Sequence, residues 1–186
     1  MKKIKKGDYG YIKHQRNIEI IKTIFMLALS FALYRIGIYS TGSNKNYLTL
    51  VAVLGCLPMA KFAVNATLFT RAKGCSEEVF SFLSGNAEKP WFYDLYFTTL
   101  KKNFQVSALY YKKKNLIVLT EDTKIDTASC VEHLETVTKN CGFENITVKV
   151  FDDKNKFADR LSELSKLEDD EKDLTVLKDN LLSVSI

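Results

Sequence analysis

Two apolar runs, 20–39 and 47–69, separated only by the polar stretch Thr41-Gly42-Ser43-Asn44-Lys45-Asn46, constrain this chain more than any other feature. A bilayer core takes about 20 apolar residues of helix, and a backbone inside it must satisfy its own hydrogen bonds. The runs therefore read as two spanning helices joined by a tight turn, a helical hairpin. No small-x-small cleavage site sets the first run apart as a removable leader. At 186 residues the chain then has room for one small domain behind the hairpin.

Charge divides the chain at the same place. Residues 1–74 carry 12 Lys and Arg against 2 Asp and Glu, whereas residues 75–186 carry 15 against 20. The overall charge of +5 describes neither part. Basic residues flanking apolar spans obey the positive-inside rule and attract anionic lipid, so nucleic acid is not the first reading of the basic half. The expected organisation is a basic cytoplasmic N-terminus over 1–19, a transmembrane hairpin over 20–73, and a cytosolic domain over 75–186 with an acidic C-terminal tail. Both termini are expected on the cytoplasmic face of the cell membrane.

Two charges fall within the runs. Arg35 lies near the end of the first span, where its aliphatic stem lets the guanidinium snorkel to the interface. Lys61 follows Pro58, so it either snorkels inward or marks the exit of a kinked helix. Gly55, Ala52 and Cys56 on the second run, and Ala28, Ser30 and Ala32 on the first, allow close helix approach.

Behind Gly74 the pattern is that of an α/β domain. Cys75–Gly85 reads as a short helix capped by Ser76, with Val79, Phe80 and Leu83 as its buried stripe. After Pro90 the period falls to two, giving strands at 91–100, 104–112 and 116–120. Leu116-Ile117-Val118-Leu119 lacks polar alternation and is expected to be an inner strand covered on both faces. Asp126 caps a helix over 127–141 whose stripe is Cys130, Leu134, Val137 and Cys141, leaving His133 as an ordinary flanking histidine. A strand at 143–151 and a helix with Phe157, Leu161, Leu164 and Leu167 follow. The acidic run 168–171 reads as a solvated turn. The tail resumes with Leu182, Val184 and Ile186 alternating as a terminal strand or a partner-facing segment. The order is α-β-β-β-α-β-α.

This order is similar to the core of the PD-(D/E)xK nuclease superfamily, and the resemblance implies metal-dependent catalysis by Asp94, Asp122 and Lys124. The motif departs from that family: Pro90 is four residues before Asp94, and Asp122-Thr123-Lys124 follows the end of its strand. The Tyr9-Gly10-Tyr11-Ile12-Lys13 entry and Gly55-Cys56-Leu57-Pro58-Met59-Ala60-Lys61 also resemble small two-span membrane proteins of Gram-positive bacteria, which carry a cytosolic α/β domain without an assigned activity. No Ser/His/Asp set, Gly-rich phosphate loop or metal-spaced cluster is present. The four cysteines form no CxxC pair, which suits reduced thiols in the cytosol.

No cofactor is therefore expected. The reading is a membrane-anchored binding or scaffold module that meets a protein partner or a second copy. Its candidate surface is the apolar excess at Trp91, Phe92 and Tyr96 with Leu182, Val184 and Ile186. An accessory subunit of a transporter is the remaining class, since two spans alone form no pathway.

Overall fold

The computed structural model describes residues 4–99, 102–167 and 174–186. It divides into two compact units, one made of residues 13–73 and the other of residues 1–12 with 74–186.

The first unit is the hairpin. Helices α1 (Tyr11–Thr41) and α2 (Tyr47–Arg71) are long and apolar enough to cross a membrane. Asn46 caps α2 by accepting from the Thr49 amide at 2.8 Å, and α2 continues through Pro58. The helices meet at small residues. A Cβ on Gly55 would lie 2.6 Å from Ser30 Oγ, and one on Gly37 would lie 2.7 Å from Asn46 Oδ1 and 3.0 Å from Leu48 Cβ. Ser30 and Ala52 are buried, whereas Ile24, Phe25, Phe31, Leu50, Leu54 and Leu57 are exposed. An apolar surface of this extent is what a lipid environment accommodates.

In the second unit the alternation of the strands builds a three-layer domain. Strands β1 (Phe92–Thr98), β2 (Asn103–Lys112), β3 (Asn115–Leu119) and β4 (Thr147–Phe151) lie in the order β1-β2-β3-β4. The first two pairs are antiparallel and β3-β4 is parallel. β3 is the inner strand that its unbroken apolar run predicts. Its Leu116 and Val118 join one core with α4 (Thr127–Asn140) and α6 (Thr175–Val184). Its Ile117 and Leu119 join another with α3 (Glu77–Ser84) and α5 (Lys154–Ser165). The tight β2–β3 link has Lys113 and Lys114 both at positive φ, as a type I′ turn requires.

The alternation slips once, in β1 and β2 at the same level. In β1 the residues reaching the α4 core are Phe92, Leu95 and Phe97; in β2 they are Phe104, Val106, Leu109 and Tyr111. Each set skips an extra residue, at Asp94 and at Ser107, so the pairing register is unchanged. Asp94 accommodates the skip with φ +53°, a conformation that Asp tolerates better than most residues.

Several segments depart from the sequence expectation: β4 begins at Thr147 rather than at 143, Leu167 lies exposed beyond the end of α5, and two further departures change the architecture. The tail is helix α6 over most of its length, because Leu177, Leu181 and Leu182 recur at helical spacing on the α4 core. Leu182 and Val184 are thus helical, and only Ser185 and Ile186 pair with β1, through Phe97 and Tyr96. Residues 4–12 belong to the domain: the Tyr93 amide donates to Gly7 O at 2.7 Å, Lys6 Nζ donates to Ser185 O, and Tyr9 stacks on Phe80 with centroids 3.9 Å apart. Both ends of the chain therefore cover the outer edge of β1, which would otherwise invite strand addition. The acidic run 168–171 lies outside the described residues.

Candidate functional site

The residues singled out for metal-dependent chemistry have separate structural roles. Asp94 is buried, and its carboxylate accepts from the Gly10 amide at 2.7 Å and the Cys75 amide at 2.5 Å. Gly74, at φ +75°, passes so close that a Cβ there would lie 3.2 Å from Asp94 Oδ1. Beside it Gln105 Nε2 donates to Gly74 O, and Glu121 accepts from Ser107 Oγ and the Ser76 amide. Asp94 thereby ties down the chain just before α1 and just after α2. Asp122, in contrast, is exposed and closes its own turn by accepting from the Lys124 amide at 3.0 Å. Among the described residues, no group of three or more His, Cys, Asp or Glu is placed to hold a metal ion.

The helices after β3 and β4 go to opposite faces of the sheet, α4 to one core and α5 to the other. Such a divergence is where open α/β sheets commonly place ligands, beyond the carboxyl ends of the strands. The crevice here contains Glu121, Asp152, Asp153, Lys154 and Lys156. Two of its charges already serve the fold: Asp153 caps α5 through the Asn155 amide, and Lys154 pairs with Glu78.

A larger cleft lies elsewhere. Within β2, only Ala108–Lys112 pair with β3, so among the described residues the first half of β2 has no strand on that side and opens toward α4. The resulting cleft, about 850 Å³, is lined by Thr98, Thr99, Lys102 and Phe104 from the β1–β2 end and by Ser129, Glu132, His133 and Thr136 from α4. The α4 residues are spaced i, i+3, i+4, i+7 and share one helix face. Asp126 caps the helix through the Ser129 amide at 3.1 Å and Ser129 Oγ at 2.8 Å, and it pairs with the Lys102 ammonium across the cleft. That ion pair, with the two Ser129 bonds, holds the Asp126 carboxyl well below the usual carboxylate range.

His133 is the distinctive member. Its ring sits 5.8 Å from Phe97 and 6.0 Å from Phe104, and burial pushes its pKa down, which favours the neutral imidazole. Nε2 is buried with no hydrogen-bond partner. Searches against protein-family models, curated proteins and solved structures find no match for the chain. The cleft itself presents hydroxyls, the Glu132 carboxylate and one neutral imidazole beside Phe104, with a Lys–Asp pair at the rim. Such a lining suits a partner rich in hydrogen-bonding groups. The sequence signal for it is the polar stripe Ser129, Glu132, His133 and Thr136, which runs beside the apolar stripe that by itself accounts for the helix.

The apolar surface expected to meet a partner is mostly internal. Tyr96 is buried, and Phe92 and Leu182 pack on the α4 core. Trp91 lies between Tyr110 and Tyr111, with Lys178 Nζ 4.3 Å from its ring centroid. Ile186 is half-buried through its bond to Tyr96 O, and Val184 alone of the six stays exposed. α6 and residues 4–12 supply the cover that β1 needed. In the hairpin, Arg35 and Lys61 are both exposed on their helices.

Proposed function

We propose that the protein is a two-pass membrane protein whose cytoplasmic α/β domain is a binding module, taking a segment of a protein partner into the cleft between α4 and the β1–β2 end. The membrane part is supported by two helices of sufficient length and apolarity and by Lys and Arg on both flanks, which favour both termini inside. The observation that carries the binding part is the buried, unpartnered Nε2 of His133 in an open cleft. A buried polar atom without a partner is costly, and a turn of the His133 ring toward the cleft lets a ligand group supply the missing bond. Catalysis is less well supported, since Ser129 Oγ is engaged with Asp126 rather than with His133.

The test is site-specific photo-crosslinking in cells. A photoreactive residue replacing Glu132 is expected to give a discrete protein adduct that disappears when His133→Trp fills the cleft. The same group replacing Asp159, exposed on α5, is expected to give none. Equal adducts at both positions, or none at Glu132, would defeat the reading. Metal-dependent turnover lost on Asp122→Ala would replace it with the nuclease-like one.

A further inference from the structure

We propose that the foot of the hairpin, residues 13–22 of α1 with 61–73 of α2, is a binding surface for the headgroups of anionic phospholipids. The proposal rests on the membrane reading above and adds a preference for one lipid class. Three contacts set the helices side by side: Ser30 against Gly55, Gly37 against Leu48, and Lys22 Nζ 5.5 Å from the Phe62 ring centroid. They place Lys61 level with Ile24, so that Lys22 and Lys61 occupy one depth and Arg16 and Arg71 lie about 15 Å or less further along the helix axes. Lys13, Lys22, Lys61 and Arg71 are exposed and Arg16 is half-buried.

Negative charge is withdrawn from this surface. Glu19, the one acid between residues 13 and 73, is 3% exposed and is paired with Lys22 at 2.8 Å. Next to the cations stand exposed Ile20, Ile21, Ile24, Phe25 and Val64. A cationic band bordering an exposed apolar band matches a headgroup layer above acyl chains, and clustered Lys and Arg at that depth draw anionic lipid. An RNA would meet the same cations but would leave the isoleucines bare, so lipid is the better fit.

The test uses the full chain in nanodiscs of pure phosphatidylcholine or of phosphatidylcholine with phosphatidylglycerol, read by melting temperature and by lipids retained in native mass spectrometry. Phosphatidylglycerol is expected to raise the melting temperature by several degrees at low salt and by little at high salt, and to be retained preferentially. The combined variant Lys13→Gln, Arg16→Gln, Lys61→Gln, Arg71→Gln should enter phosphatidylcholine discs as before but lose that preference. The control Lys139→Gln, Lys149→Gln, Lys156→Gln should keep it. Insertion without lipid preference, a preference that survives the foot substitutions, an equal shift from inorganic phosphate, or an RNA oligonucleotide bound as tightly as the lipid would each overturn the proposal. A chain that stays soluble and enters no disc would overturn the membrane reading as well, which separates the two failures.

Discussion

Asp94 shows how one side chain fixes several levels of structure. Its positive φ sets the slip in β1, and its two oxygens hold the amides of Gly10 and Cys75. Replacing it by alanine leaves two amides without their acceptor and a less tolerant residue at that φ, so Asp94→Ala should cost roughly 2–5 kcal/mol. Asp94→Asn keeps an acceptor oxygen and tolerance of the backbone angle and should cost clearly less; denaturant midpoints of the two variants check the order. His133 makes a pH prediction. Its folded pKa lies below the unfolded value of 6.5, so the unfolded chain binds the extra proton first as pH falls. The contribution of His133 is therefore fully present above about pH 6.5 and is lost as pH drops toward its folded pKa. Urea midpoints measured on either side of that value should converge in His133→Gln relative to wild type. Both residues were visible in the sequence, but with other roles. Asp94 looked like a metal ligand because nothing local shows that residues 10 and 75 return to it, and His133 looked inert because its ring partners Phe97 and Phe104 are some 30 residues away.

At the scale of elements, the parts written in local patterns were readable. The caps Ser76 and Asp126 stand at their helices as expected, each accepting from the amide three residues on. The apolar run of β3 named the inner strand. What was not readable depends on long-range cover: α6 has too short a pattern to distinguish a helix from an alternating tail, and residues 4–12 carry no periodicity at all. Helix packing in the hairpin gives a sharp prediction here. Gly55→Val and Gly37→Val drive a side chain into Ser30 and into Asn46 and Leu48, respectively, and should separate the helices. A cysteine pair at Ser30 and Gly55 would report the contact: crosslinking should be efficient in the otherwise native hairpin and should fall when Gly37→Val is added.

For the whole molecule, the hairpin is an excursion from a domain to which residues 4–12 contribute. Because Gly10 and Cys75 bind the two oxygens of one carboxylate, their amides are only a few ångströms apart, and a short link can span them. A chain in which a four- to six-residue Gly/Ser linker replaces 13–73 should be soluble and unfold cooperatively, with a higher melting temperature than residues 75–186 alone. Equal melting temperatures would mean that residues 4–12 add nothing to the fold. The buried thiols belong to this scale too. Burial pushes Cys130 up to about 11, and Cys75 is 1% exposed, so both should resist alkylation until the domain unfolds. The central claim, a hairpin that spans the membrane with the domain on the inside, is tested most directly by an impermeant thiol reagent on intact cells, with cysteine introduced at Ser43 or at Lys166 in a background lacking the four native cysteines. The account predicts labelling of Ser43→Cys in intact cells and of Lys166→Cys only after permeabilisation; labelling of Lys166→Cys but not Ser43→Cys in intact cells would contradict it.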